Sequence, residues 1–117
     1  MGATQDRGAA GEALAAAWFE LRGDRVLGRN LRLGGREVDL LVQSGTVLAV
    51  VEVKLRSRSD YGGAAAAVDA RKRARLLDAA RALLSRGASE VRVDVVTLDL
   101  EPDGLRLRHI PNAVTEG

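Results

Sequence analysis

Apolar residues recur at helical spacing early in the chain. Leu14, Ala17, Trp18 and Leu21 stand at i, i+3, i+4 and i+7, which predicts a helix over residues 8–22 with those side chains facing the core and Gly23 as its stop. The period then shortens. "RVLGRNLRL" is a strand interrupted by Gly28, and "EVDLLVQ" and "TVLAVVEVKLR" are two strands of a hairpin with Ser44-Gly45 as its turn. "SRSDYGG" has the residues of a loop. A second helix is expected from Ala64 to Arg86, with Val68, Leu76, Leu77, Ala80, Leu83 and Leu84 on one side and Gly87 closing it. "VRVDVVTLDL" is a strand of β-branched residues, "EPDG" a turn, "LRLRHI" a partner strand, and "PNAVTEG" an irregular tail.

The resulting order is α-β-β-β-α-β-β. A helix linking two strands predicts a parallel crossover, so the fold class is α/β with a mixed central sheet flanked by helices. The stretch Thr46–Val53 is apolar on both alternating sets, as suits a strand buried on both faces. With 117 residues, the chain forms one domain, residues 1–117, with room for a single core. It has no cysteine, which excludes disulfides and thiolate zinc sites. No apolar run is long enough to span a bilayer, and the N-terminus lacks the layout of a secretory signal. The first residues do not fit a myristoylation signal either, because Asp6 stands where Ser or Thr is needed. A cytoplasmic protein with no membrane partner is therefore expected.

Charge interrupts this pattern where it should be most apolar. Glu37, Asp39, Glu52 and Lys54 lie within the hairpin strands. With Ser44-Gly45 as a two-residue turn, Gln43 opposes Thr46, Asp39 opposes Val50 and Glu37 opposes Glu52, so all four charges fall on one side of the sheet. Asp39 and Glu52 become diagonal neighbours with Cβ atoms roughly 7 Å apart. Two carboxylates so placed repel unless a cation joins them. Inward charges also protect edge strands from aggregation. Four of them at the end of the most hydrophobic strand favour the cation, since unpaired buried charge costs about several kcal/mol. Oxygen ligands of this kind suit Mg2+ or Mn2+.

The net charge of +2 conceals a segregation. Lys54–Arg75 carries seven basic and two acidic residues, leaving the remainder of the chain acidic on balance. Such a segment suits a polyanion, although a solvated helix face would also look like this. Arg56, Arg58, Arg71, Lys72 and Arg75 are the candidate phosphate contacts, and Tyr61 is the aromatic placed beside them. The chain has sixteen Arg against only Lys54 and Lys72, so these two lysines mark positions where a guanidinium would not serve. Few aromatics means no stacking platform for single strands, and contacts to phosphates and nucleic-acid shape fit better than base readout. His109 and Asp94 are read as structural, and Trp18 as packing.

Asp39 followed by "EVK" at Glu52-Val53-Lys54 resembles the PD-(D/E)xK signature of restriction-endonuclease-like nucleases, without the proline that usually precedes the first Asp. Gly11-Glu12, Arg29-Asn30, "EVDL", "VEVKLR", Tyr61-Gly62, Lys72, "VRVDVV" and "HIPNA" are together similar to the small bacterial YraN-like family of endonucleases, over nearly the whole chain. Arg36 departs from the glycine usual before that Glu. The resemblance implies a restriction-endonuclease-like core and magnesium-dependent hydrolysis of DNA phosphodiesters, with branched or flapped forms as the candidate substrates by similarity to archaeal Holliday-junction resolvases. It implies metal ligation by Asp39, Glu52 and the Val53 carbonyl, water activation by Lys54, and a contribution from Glu12 through water. The alternative is a catalytically silent nucleic-acid-binding domain on the same scaffold. DNA is the expected partner, and a homodimer is left open.

Overall fold

The computed structural model of the chain describes residues 3–57 and 68–116. Its elements follow the expected order: α1 (Ala3–Leu21), β1 (Arg25–Leu33), β2 (Arg36–Ser44), β3 (Val47–Arg56), α2 (Ala70–Ser85), β4 (Val91–Glu101) and β5 (Gly104–Val114). The five strands form one sheet in sequential order, antiparallel except for the parallel pair β3–β4 that α2 connects. This is the mixed sheet and element order expected from the sequence. No helix among the described residues is long and apolar enough to cross a membrane.

The helices cover opposite faces. Leu76, Ala79, Ala80 and Leu83 of α2 pack with Leu41, Val50 and Val93 on one side, and Ala15, Ala16 and Phe19 of α1 pack with Leu40, Val51, Val96 and Leu98 on the other. β3 lies between both layers, and Ala49, Val50 and Val51 are fully buried. At about 25 cal/mol per Å² of apolar surface, these two layers carry most of the favourable burial.

Three local expectations are corrected. In α1 the buried face is Gly11, Ala15, Ala16 and Phe19, while Leu14 is 47% and Leu21 88% exposed. Small residues let the helix lie close to the sheet; a Cβ at Gly11 would come within 3.2 Å of Leu98 Cδ1. The hairpin turns at Gly45-Thr46, with Ser44 paired to Val47, because Gly45 at φ +62° supplies the conformation that the first turn position requires. The irregular tail is instead the end of β5, which continues past Pro111 to pair Val114 with Val93 after a register shift. Proline is tolerated there because β5 is a sheet edge.

Within the described residues α2 begins at Ala70. Asp69 keeps an extended backbone and its carboxylate caps the helix, accepting from the Lys72 N–H at 2.9 Å. Val68 thus precedes the helix; the expected first turn at 64–67 lies outside the described residues. Gly87 does close the helix, with Ala88 N–H bonded back to the Leu83 carbonyl at 3.1 Å.

Candidate active site

The β2–β3 ladder ends at Leu40 opposite Val51, although both strands continue. Beyond that point β2 stays with β1 as far as Arg36, and β3 stays with β4 as far as Arg56. The sheet therefore forks. A cleft of about 460 Å³ lies at the fork, lined by Gly11 and Glu12 of α1, Asp39 of β2, Glu52, Val53 and Lys54 of β3, and Lys72 and Arg75 of α2. Both helices reach it from opposite faces of the sheet, which explains how residues so distant in sequence meet.

The shift of the turn by one residue alters the carboxylate pair without changing its face. Continuing the observed register sets Asp39 directly across from Glu52, closer than the expected diagonal and near enough to act on its carboxyl. Where the ladder stops, the Val53 N–H donates to Asp39 Oδ2 at 2.8 Å. Glu52 is only 5% exposed. Burial, and then the neighbouring Asp39, push its carboxyl up to about 7, against the opposing pull of Arg75 and Lys72. Arg75 Nη2 reaches both Glu52 oxygens at 3.2 and 3.0 Å, and Lys72 Nζ stands 3.9 Å from one of them. Glu12 is half-buried; burial and Asp39 raise its carboxyl, while a hydrogen bond with Asn30 and the charge of Arg29 oppose the rise. Lys54 lines the cleft, half-buried, and its ammonium has no hydrogen bond or ion pair among the described residues.

Asp39, Glu52 and the Val53 backbone are the groups that could hold a hard divalent cation. Among the described residues no three His, Cys, Asp or Glu side chains gather into a ready-made metal cluster. The donor set nevertheless fits Mg2+ or Mn2+, which take one or two protein carboxylates and keep most of their waters. A buried Glu52 carboxyl facing Asp39 across the fork, raised first by its burial and then by Asp39, is the observation that supports the fit.

The remaining site residues separate clearly. Arg56 is not a phosphate contact: it is 4% exposed and donates from Nε and Nη2 to Asp99, its register partner on β4, at 2.8 and 3.1 Å. Arg58 and Tyr61 lie outside the described residues. Arg71 is exposed, whereas Lys72 and Arg75 project into the cleft. Glu37 pairs with a nearby arginine, Arg32, at 3.4 Å. Sequence reasoning missed Asn30 as a partner of Glu12, although Arg29-Asn30 is part of the resemblance; its φ of +49° marks it as a special backbone position.

A second buried carboxylate lies elsewhere in the sheet. Asp94 is fully buried and accepts from Arg92 Nε at 2.9 Å, the Asn112 N–H at 3.0 Å and His109 Nε2 at 2.7 Å. Arg22 can only donate, and its Nη1 lies 3.0 Å from His109 Nδ1, so the His109 hydrogen belongs on Nε2. Burial pushes the Asp94 carboxyl up, but these donors outweigh it and hold the group below its ordinary range. The His109 ring also packs edge-on against Trp18 and Phe19.

The family model that matches residues 11–98 is described as uncharacterised protein family UPF0102. A UPF0102 protein of Halorhodospira halophila is 45% identical over 81% of this chain and 78% of its own. One from Symbiobacterium thermophilum is 44% identical over 91% and 93% of the two chains, and one from Methylorubrum extorquens 43% identical over 95% and 86%. The solved structure of Pyrococcus furiosus SfsA in complex with Ca2+ covers 97% of this chain and 65% of its own at 16% identity and a TM-score of 0.38, a likeness too slight to extend to function.

Proposed function

For a chain that belongs to the uncharacterised protein family UPF0102, the YraN family that its motifs resemble, we propose the activity of a cytoplasmic, magnesium-dependent endonuclease hydrolysing DNA phosphodiester bonds. The observation that carries this reading is the Asp39–Glu52 pair: two carboxyls facing each other at the fork of the sheet, one of them buried, with a basic helix beside them. A divalent cation held there would lower the pKa of a bound water and offset charge on the phosphate. Asp39 and Glu52 fix the position of that charge, and the Val53 N–H holds Asp39 in place. Lys54, with no competing partner, orients the attacking water and meets a phosphate oxygen. Glu12 approaches from α1 and supports the cation through water. Lys72 and Arg75 supply positive charge along the path of the strand.

One observation favours a second reading, a nucleic-acid-binding domain that does not cleave: Arg75 already grips both oxygens of Glu52. A panel of linear, nicked, flapped and four-way DNAs, incubated with Mg2+ or Mn2+, separates the two. Cleavage of at least one form, lost in Asp39→Asn, is expected. Salt-sensitive binding without cleavage of any form would establish the second reading instead.

A further inference from the structure

Arg75 occupies an unusual position for a salt-bridging residue. Its Nη2 lies 3.2 and 3.0 Å from the two Glu52 oxygens, yet its Nε is buried with no hydrogen-bond partner. A guanidinium in a finished structural site uses its fork fully, as Arg56 does on Asp99 through Nε at 2.8 Å and Nη2 at 3.1 Å. Arg75 instead leaves one donor orphaned, and its side chain is 30% exposed where that of Glu52 is 6%. The arginine has room to leave; the carboxylate does not. Lys72, one helical turn away, stands 3.9 Å from one of these oxygens, Oε2, and makes no hydrogen bond to it.

We infer that Arg75 is a displaceable counter-cation: a divalent ion entering beside Asp39 and Glu52 releases the guanidinium, which then captures a phosphate of the nucleic acid at the mouth of the cleft. The inference rests on the proposed cation site and extends it by coupling two binding events through one side chain. Without the ion, Arg75 is held by Glu52 and withheld from phosphate. With the ion, electrostatic repulsion drives it outwards, where a planar fork matches phosphate oxygens. Ion and nucleic acid thus bind with positive coupling, which linkage makes reciprocal. A fixed basic residue would give no such coupling.

Two measurements test this without relying on cleavage. The first is calorimetric titration of Mn2+ into wild type, Arg75→Met, Arg75→Lys and Arg86→Met, all in nucleic-acid-free buffer and all checked for folding by circular dichroism. Removing a competing charged pair should tighten Mn2+ binding in Arg75→Met by about tenfold, because a charge-assisted contact is lost from the ion-free state. Arg75→Lys should fall between it and wild type, and Arg86→Met, which loses the same charge at an exposed position at the other end of α2, should change by less than about twofold. The second is fluorescence anisotropy of a labelled duplex with and without Ca2+. Wild type and Arg86→Met should bind the duplex several-fold tighter with Ca2+, and Arg75→Met should lose that enhancement. Equal Mn2+ affinity in wild type and Arg75→Met, or an enhancement that survives in Arg75→Met, overturns the coupling and leaves the cation site standing. Wild type that binds no Mn2+ removes the cation site itself, and the inference with it.

Discussion

Two buried carboxylates in the same sheet are treated in opposite ways. Asp94 receives three donors, Arg92, His109 and the Asn112 amide, and sits below its ordinary range. Glu52 is almost as deeply buried but faces a second carboxyl, and Arg75 and Lys72 do not prevent its rise to about 7. Asp94 has donors enough to outweigh its burial and ties together β4, β5 and, through His109 and Arg22, the end of α1. The two cations beside Glu52 do not outweigh its burial and the facing Asp39. A site that completes its own electrostatics stabilises the fold, whereas one that leaves a deficit is suited to taking up a cation.

The largest expected effect breaks the completed side of this contrast. Asp94→Ala leaves His109 and Arg92 facing an empty buried position and should destabilise the fold by about 3–5 kcal/mol, measured by urea unfolding. A loss near zero would mean that the cluster is solvated surface chemistry and that the contrast has no energetic content.

The pH dependence of stability comes next, and the two groups should bend it in opposite directions. The folded-state value for Glu52 lies above its ordinary 4.5, so the folded protein binds more protons between about 4.5 and 7. Its contribution is complete below 4.5 and is lost as pH rises through 7, at a cost of up to about 3 kcal/mol. Asp94 is depressed, so its stabilisation is present above 3.8 and is lost as pH falls further. Unfolding curves across pH 3–9 in metal-free buffer should show both slopes, and Glu52→Gln should flatten only the upper one. A wild-type profile that is flat from pH 5 to 8 would deny the deficit at Glu52.

Much of this arrangement could be read in the sequence. The element order and the one-sided placement of Glu37, Asp39, Glu52 and Lys54 follow from period and spacing alone. The turn was one residue off because Ser44-Gly45 and Gly45-Thr46 both fit a two-residue loop, and only the preference for glycine in the first place distinguishes them. Side-chain parity survived, since moving the turn by one residue changes each opposed pair by two. α1 misleads more deeply: two of its large apolar residues, Leu14 and Leu21, face solvent, and the contact is made by Phe19 together with Gly11, Ala15 and Ala16, whose small size carries little hydrophobic signal. Arg56 could not be sorted from Lys72 and Arg75 by charge, because what decides its role is Asp99, 43 residues away.

Within the cleft, Lys54→Arg keeps the charge but replaces a compact donor with a planar fork. Cleavage should fall by about 10²-fold while DNA affinity changes little. Equal rates for Lys54→Arg and wild type, with Lys54→Ala inactive, would reduce its role to charge alone. The smallest expected effect is at the cleft mouth, where Lys72→Met should lower the slope of log affinity against log salt by about one unit, evenly across DNA sequences. An unchanged slope would return Lys72 to the role of partner for Glu52.

The claim beneath all of these is that the Asp39–Glu52 pair lacks positive charge that a divalent ion supplies. Thermal unfolding at pH 8, with and without MgCl2 or MnCl2, tests it most directly in wild type and Glu52→Gln. Wild type should unfold several degrees higher with the ion, at about 4 °C per kcal/mol for a domain of this size. Glu52→Gln should be more stable than wild type without the ion and gain nothing from it. A wild-type midpoint that neither ion moves, together with a Glu52→Gln protein no more stable than wild type, would contradict the account.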